Sequence, residues 1–350
     1  MISADSPADR PPLTVALGPP EHGVTRFAVD CARAAGTALI EVTHIDHLTD
    51  ALTAYPGTPV HLHITDPLFG STPDEAAGAV ESLVRDRPVA VTLHDVPQPA
   101  EGAERCRRRA RAYRRIAAAS GLVMVSSGHE RRLCADAGIV VDVVVPLPVP
   151  ALPLPALPTS ARTGAAPTAR AVSALDVRSV GVFGFLHPGK AVDLVAEAVA
   201  RLAADGDDRV TLRLLGAPAE GHEDYVAAAL ETVRSAGGRA EVTGRIDDDE
   251  LAGTLGAVTV PVALFRNVSA SGSLNTWAAA GRRPLVRDSD YTREMEQIRP
   301  SSLLLASGAD LAVDLRALLD DPAPTVCDIP PPGLDELGRA YLWAWKEWLT

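Results

Sequence analysis

Short apolar segments alternate with helical segments in two successive series, and this alternation limits the chain to few folds. The first series fills the first 150 residues, and the second begins near Ser179. Near-continuous apolar strands that alternate with helices are typical of a parallel sheet covered on both faces. The sequence therefore predicts an α/β protein with two doubly wound, Rossmann-like domains. The strands that precede the most informative loops are Leu13–Leu17, Val89–Leu93, Ser179–Phe183 and Thr259–Leu264.

A proline-rich segment separates the two series. Residues 146–170 read PLPVPALPLPALPTSARTGAAPTAR, and proline removes the backbone donors that a strand or helix needs. Two doubly wound domains joined in this way would bring the carboxyl ends of their strands to one cleft, where such sheets bind ligands. The predicted parts are a first domain (1–147), a connector (148–176), a second domain (177–332) and a C-terminal helix (333–350) that packs back on the first domain.

Composition excludes several classes of function. The 350 residues carry a formal net charge of −12, which argues against nucleic-acid binding as the main role. The N-terminal residues are rich in acidic residues and proline and lack the apolar core of a signal peptide. The cysteines have neither disulfide-framework nor zinc spacing. We therefore expect a cytoplasmic protein whose thiols are reduced.

Lysine is rare here: only Lys190 and Lys346 among 33 basic residues are lysine. Lys190 ends the segment GFLHPGK, which follows a predicted strand and precedes a predicted helix. Gly184 and Gly189 permit a tight turn, and a lysine at a helix start is a compact charge for a phosphate. The alternative is a capped turn with an exposed lysine. The spacing is not that of a Walker loop.

A second candidate loop, FRNVSASGSLNT (265–276), follows the strand Thr259–Leu264 and opens another predicted helix. Ser271, Gly272 and Ser273 are small, so their amides can approach a ligand closely. A helix start of this kind favours a diphosphate. The alternative is a flexible capping loop.

Two loops of the first domain are also candidates. GPPEHG (18–23) follows the first strand, where a nucleotide-binding fold has its first ligand loop, and His22 and Gly23 could contact a ligand. Since G-x-G-x-x-G is absent, a nicotinamide or flavin enzyme is disfavoured. His94 and Asp95 end the strand in VAVTLHD and are candidates for hydrogen bonding or proton transfer.

His61 and His63 lie on one face of a predicted strand, VHLHI. The H-x-H spacing could hold a metal, but no third ligand with a convincing spacing follows. Structural histidines with satisfied hydrogen bonds are therefore the favoured interpretation, and no metal is predicted.

An arginine-rich helix reverses the acidic balance locally. We hypothesise that it contacts an acidic acceptor or an anionic membrane, which would make the protein membrane-peripheral. The alternative is a solvated helix whose arginines pair with nearby carboxylates. The arginines are Arg105, Arg107, Arg108, Arg109, Arg111, Arg114 and Arg115.

These motifs together resemble one family. The chain is similar to glycosyltransferases of the GT-B fold, most of all to the retaining enzymes of family 4. GVFGFLHPGKAVDLVAEAVARL resembles the family's phosphate-binding turn with its lysine, here Lys190. VTGRIDDDELAGTL, which contains Arg245, resembles the loop near the nucleotide base. VPVALFRNVSASGSLNTWAAAGRRPLV resembles the donor loop, and TLHD resembles the strand end with a sugar-facing histidine, here His94.

One departure from the family is chemical. The family has two glutamates with seven residues between them, of which the second holds the donor ribose and the first lies near the donor sugar. Counting back from Ala279-Ala280-Gly281 puts Val268 and Thr276 at these positions. Neither side chain is acidic, so the neutral hydroxyls and amide of this segment would have to serve instead.

The resemblance implies transfer of a sugar from a nucleotide-diphosphate sugar, with retention at the anomeric carbon and without a cofactor or metal. The acceptor would be a sugar, a lipid or a small molecule. Alternatives are a non-catalytic sugar-nucleotide-binding protein and a sugar-nucleotide epimerase. The implied catalytic residues are His94 and Lys190; those for the donor are Gly184, Gly189, Lys190, Arg245, Ser271, Gly272, Ser273 and Thr276; those for the acceptor are His22, Gly23 and Asp95.

Overall fold

A computed structural model of the chain describes residues 11–153, 178–328, 330 and 333–350. The chain divides into two compact units, a first unit of Met1–Pro148 with Gly333–Thr350 and a second unit of Val149–Pro332. The predicted connector, residues 148–176, lies outside the described residues from residue 154 onward.

The first unit is built on a six-stranded sheet in which all strands are parallel. The strands are β1 (Leu13–Leu17), β2 (Leu39–Val42), β3 (Val60–Ile64), β4 (Val89–Leu93), β5 (Leu122–Val125) and β6 (Val143–Val144). Their order in the sheet is β2-β1-β3-β4-β5-β6. Every residue of β1, β3, β4 and β5 is buried, because helices cover both faces. This burial explains why β1, β4 and β5 are mostly apolar without alternation, whereas β3 alternates apolar residues with the buried His61 and His63.

The connections between these strands carry six helices. The helices are α1 (Gly23–Ala35), α2 (Leu48–Leu52), α3 (Asp66–Phe69), α4 (Pro73–Val84), α5 (Ala103–Ala119) and α6 (Gly128–Asp136). Short polar side chains begin several of them; for example, Thr72 and Ser127 accept hydrogen bonds from the amides of Glu75 and Glu130. These caps fix where α4 and α6 start relative to the strands before them.

The second unit repeats the architecture with a different strand order. Its strands are β7 (Ser179–Phe183), β8 (Thr211–Leu215), β9 (Arg239–Val242), β10 (Val260–Ala263), β11 (Leu285–Val286) and β12 (Leu304–Leu305). They form a parallel sheet in the order β12-β11-β10-β7-β8-β9. Its helices are α7 (Val192–Ala204), α8 (Glu223–Ser235), α9 (Asp248–Gly256), α10 (Gly272–Ala279), α11 (Asp290–Ile298) and α12 (Leu311–Asp320).

The C-terminal helix α13 (Leu334–Leu349) belongs to the first unit and packs on α1. A Cβ at Gly338 would lie 2.1 Å from the Ala34 carbonyl oxygen, so only glycine permits this close approach. Tyr341 and Trp345 are fully buried, and the Tyr341 hydroxyl lies 3.0 Å from Thr92 Oγ1 on β4. The helix is therefore part of the core of the first unit.

Two six-stranded parallel sheets with helices on both faces confirm the predicted doubly wound α/β class. Two elements of the second unit, α11 and β12, were not predicted, because β12 has two residues and α11 buries only Tyr291, Thr292 and Met295. Within the described residues, no helix combines the length and the apolar character needed to cross a lipid bilayer.

Candidate functional site

The strand order of the second sheet defines where a ligand would bind. The chain direction across the sheet reverses between β7 and β10, which are neighbours. In open α/β sheets, ligands bind outside the carboxyl ends of the strands at such a switch point. The loops after β7 and β10 carry Gly184–Lys190 and Phe265–Ser271. The topology therefore brings the two predicted donor loops to the same edge of one sheet.

Lys190 joins these two loops. Its Nζ donates to the Phe183 carbonyl oxygen and to Ser273 Oγ, both at 3.0 Å. The ammonium also lies 5.1 Å from the centre of the Phe265 ring, within range of a cation–π contact. The lysine is half-buried, which contradicts the alternative of an exposed lysine on a capped turn.

Burial lowers the pKa of Lys190 from its ordinary value of 10.5 to about 8. No carboxylate partner accounts for its position, since its described contacts are a carbonyl, a hydroxyl and an aromatic ring. A half-buried cation without a carboxylate carries a desolvation cost, and an anionic ligand at this edge would offset that cost.

The start of α10 lies beside Lys190. Ser271 caps the helix by accepting from the amide of Leu274, and Ser271 Oγ lies 3.0 Å from Ser273 Oγ. The buried Tyr291 on α11 holds this turn, since its hydroxyl accepts from the Ser271 amide at 2.8 Å. The first turn of α10 contains no acidic residue. The first amides of a helix lack intrahelical acceptors, so those of Gly272 and Ser273 suit an anion.

The start of α7 is less suited to an anion than the sequence predicts. Asp193 lies in its first turn, and the Asp193 amide already donates to the Tyr225 hydroxyl at 3.1 Å. The Asp193 carboxylate also pairs with Arg266, and the Arg266 amide donates to the Gly189 carbonyl at 2.9 Å. Arg266 therefore ties the two loops together, and of the predicted phosphate-binding features Lys190 and the start of α10 are better suited to an anion than the start of α7.

Two glycines of the first loop lie close to other side chains of the same loop. Gly184 has a φ of +105°, and a Cβ there would lie 2.9 Å from Lys190 Nζ. A Cβ at Gly189 would lie 2.6 Å from the ring of His187, whose Nδ1 accepts from the Gly189 amide. The backbone of the loop therefore favours glycine at 184, and a side chain at 189 would displace the His187 ring.

The remaining predicted donor residues lie on α10 and in the loop after β9. Thr276, at the position of the family's second glutamate, donates from Oγ1 to the Gly272 carbonyl at 2.9 Å and stays half-buried. Val268, at the position of the first, is also half-buried. Arg245 is exposed in the loop between β9 and α9. None of these three supplies the missing carboxylate.

The carboxyl edge of the first sheet carries the predicted acceptor residues. His22 caps α1, where its Nδ1 accepts from the Val24 amide at 3.2 Å, and Gly23 is exposed beside it. Asp95 has a φ of +48°, a strained conformation for a residue with a side chain. Thr65 holds it by donating to Asp95 Oδ2 at 3.1 Å. Strain of this kind is common at binding sites.

His94 is buried and lies next to His63, which in turn lies next to His61. Its Nε2 lies 3.1 Å from His63 Nδ1, and the His61 and His63 rings are 4.4 Å apart. Burial, together with the nearby His22, lowers the pKa of His94 to about 4, although Asp95 opposes the shift. His94 is therefore neutral at pH 7, and its Nδ1 is the ring nitrogen that remains for a ligand.

The arginine-rich helix α5 pairs mainly with carboxylates of its own unit. Arg109 is buried and donates to Asp66 and Glu101. Arg115 pairs with Glu81 and Asp74, Arg111 pairs with Asp74, and Arg105 pairs with Glu101. These ion pairs agree with the alternative interpretation, in which the arginines of this helix pair with nearby carboxylates. The buried Arg109 is not accessible to a membrane surface.

Comparison with known proteins identifies the fold through structure alone. No protein-family model matches the chain, and no curated protein matches its sequence. Anabaena HepE in complex with UDP-glucose superposes with a TM-score of 0.68 at 15% identity, covering 95% of this chain and 93% of that one. HepE in complex with UDP and glucose gives a TM-score of 0.67 at 14% identity, covering 97% of both chains.

A third solved structure is similar over nearly the full length of both chains. Sucrose-phosphate synthase from Thermosynechococcus elongatus gives a TM-score of 0.63 at 15% identity, covering 97% of this chain and 95% of that one. At this level of identity the similarity establishes architecture only. The chain has the GT-B fold, the fold that its sequence motifs resemble.

Proposed function

We propose that this chain is a glycosyltransferase that takes its sugar from a uridine-diphosphate sugar. One observation carries the proposal: Lys190 Nζ lies 3.0 Å from Ser273 Oγ, so a cation is held beside the acid-free start of α10. The GT-B fold supports it, since HepE has this fold and was crystallised with UDP and with UDP-glucose.

In this proposal the diphosphate binds between Lys190 and the amides of Gly272 and Ser273. Gly184 and Gly189 keep the lysine loop narrow, and Ser271 fixes the helix start. Arg245 and Thr276 contact the nucleoside part of the donor, with the Thr276 hydroxyl in place of a carboxylate on the ribose. The acceptor contacts His22, Gly23, His94 and Asp95 of the first unit.

The chemistry asked of these residues is electrostatic. Cleavage of the bond between the anomeric carbon and the diphosphate oxygen leaves negative charge on the diphosphate. A fixed ammonium and helix amides stabilise that charge best where water is excluded. We propose that they do so without a divalent metal and that the product retains the anomeric configuration of the donor. The neutral His94 orients the acceptor by hydrogen bonding.

A second candidate function rests on the missing glutamates. With Val268 and Thr276 at those positions, a chain that binds the nucleotide sugar without transferring it is the main alternative. Binding of UDP-sugar without turnover over a broad acceptor screen would favour that alternative over the enzyme.

The test is a transfer assay with UDP-sugars and a panel of sugar, lipid and small-molecule acceptors, without added Mg²⁺ or Mn²⁺. We expect the wild type to release UDP and to form a product whose anomeric signal by NMR has the donor's configuration. Lys190→Ala should lose most of this activity, whereas Lys346→Ala, which removes the other lysine from an exposed site on α13, should keep it. Equal turnover of both variants would contradict the role of Lys190.

A further inference from the structure

A cluster of three metal-binding side chains lies in the core of the first unit. Cys31 on α1 and His61 on β3 are fully buried, and His63 on β3 is 2% exposed. Each offers a ligand atom, and the three atoms lie within 4.8 Å of one another. The two histidines share a face of β3, and α1 packs on that face, so tertiary packing supplies the third ligand that the sequence spacing does not reveal.

Each histidine leaves one ring nitrogen without a partner. His61 Nε2 lies 2.9 Å from Thr92 Oγ1, while His61 Nδ1 has no hydrogen-bond partner among the described residues. His63 Nδ1 lies 3.1 Å from His94 Nε2, while His63 Nε2 is likewise unpartnered within the described part of the chain. Buried nitrogens of this kind are rare in folded proteins, and a bound metal ion would satisfy both.

The other ring nitrogens, His61 Nε2 and His63 Nδ1, are hydrogen-bonded in the way that is usual for histidines in metal sites. Metal-ligating histidines usually bond through their second ring nitrogen to a group that fixes the ring. Thr92 does so for His61 and is itself 3.0 Å from the Tyr341 hydroxyl on α13. His94 does so for His63. Both rings are therefore oriented before any ion binds.

The donor set and its surroundings select the ion. One thiolate and two imidazoles suit thiophilic ions such as Cu⁺ and Zn²⁺. Structural Zn²⁺ sites have four protein ligands, and the cluster offers three. The rings of Phe27, Tyr341 and Trp345 lie against the histidines. Zn²⁺ with one thiolate would bury a net positive charge there, whereas Cu⁺ with one thiolate is neutral.

We propose that Cys31, His61 and His63 bind one Cu⁺ ion in the core of the first unit. Binding forms one Cu–S and two Cu–N bonds, and the Cys31 proton leaves to solvent. With the ion on His63 Nε2, the proton of His63 is on Nδ1 and is donated to His94 Nε2. The proton of His94 is then on Nδ1, so the ion also fixes the tautomer of the residue at the strand end. No residue assigned to the donor takes part.

The experiment measures copper in the full-length protein by two routes. Protein expressed in copper-supplemented cells is freed of loose metal with a chelator and analysed by mass spectrometry for copper and zinc. Metal-free protein is also refolded anaerobically with Cu⁺, so that burial does not block entry of the ion. We expect one copper ion per chain, with one sulfur and two nitrogen neighbours in the X-ray absorption spectrum.

Variants locate the ion. Cys31→Ala and His63→Gln should lose the copper, while Cys134→Ala, which removes another buried cysteine, should keep it. Circular dichroism checks that each variant folds, and His61→Gln replaces either of the first two if it does not. Absence of copper by both routes, preferential loading with zinc, or full copper loading of folded Cys31→Ala would overturn the proposal.

Discussion

At the scale of single residues, Lys190 is the position where composition and structure agree best. A chain that uses arginine for almost every cation retains lysine where a Cβ at Gly184 would lie only 2.9 Å from the ammonium. The rarity of lysine predicts a special role for Lys190. The inward direction of the side chain was not predictable, because it depends on Ser273, which is distant in sequence and is brought close only by the sheet.

The first residue-scale prediction concerns the size and shape of the cation at position 190. A guanidinium is planar and wider than an ammonium and does not replace it conservatively. We expect Lys190→Arg to weaken UDP binding about tenfold or more, or about 1.4 kcal/mol, although the charge is kept. Calorimetric titration with UDP measures this effect. Lys346→Arg is the matched control, and unchanged binding in Lys190→Arg would show that charge alone suffices.

The second residue-scale prediction concerns how UDP binding and folding stability depend on pH. Since burial lowers the pKa of Lys190 to about 8, the lysine loses its charge as pH rises through that value, and UDP affinity should fall.

Folding stability should change in the opposite direction. Between pH values of about 8 and 10.5 the unfolded chain binds more protons than the folded chain, so this group makes stability rise with pH. Affinity and unfolding measured from pH 6.5 to 9.5, with Lys190→Met as reference, test both signs. An affinity that does not decline above pH 8 would contradict the assignment.

At the scale of elements, the strands that the sequence predicts best are those in which every residue is buried. Strands such as β4 and β5 are buried along their full length, so their apolar runs identify them. The helix α11 has few buried residues, and its role in holding Ser271 through Tyr291 was therefore missed. The third ligand beside His61 and His63 was missed for a related reason, since the packing of α1 on β3 leaves no spacing signal.

The helix α5 supplies an element-scale prediction about stability. Arg109 bridges Asp66 and Glu101 while buried, and it also donates to the carbonyl of the strained Asp95. Its removal leaves the buried Asp66 carboxylate without its cationic partner, which typically costs about 3–5 kcal/mol. We expect Arg109→Ala to lower the free energy of unfolding by about that amount in urea denaturation.

Arg108 provides the control on the same helix. It is exposed, so Arg108→Ala should change stability by about 0.5 kcal/mol or less. A similar loss in both variants would mean that helix propensity, and not the buried ion pairs, sets the stability of this element.

At the scale of the whole molecule, alternating strands and helices predicted two doubly wound sheets but not their strand orders. The first sheet has the order β2-β1-β3-β4-β5-β6 and the second has β12-β11-β10-β7-β8-β9, although both come from the same local pattern. The order matters for the proposed donor site, because it makes β7 and β10 neighbours and so brings Lys190 to Ser273. Local sequence does not encode that adjacency, which arises from packing of the complete sheet.

The proposed function requires the second unit to bind a uridine-diphosphate sugar through Lys190. The most direct measurement is the melting temperature of wild type, Lys190→Ala and Lys346→Ala with UDP-, GDP- and ADP-sugars. A ligand that binds only the folded state stabilises it by about 2.7 kcal/mol at 100 times its dissociation constant. We expect the melting temperature to rise with UDP-sugars in wild type and Lys346→Ala and not to rise in Lys190→Ala. A flat response of the wild type to all UDP-sugars, or an equal rise in Lys190→Ala, would contradict this proposal.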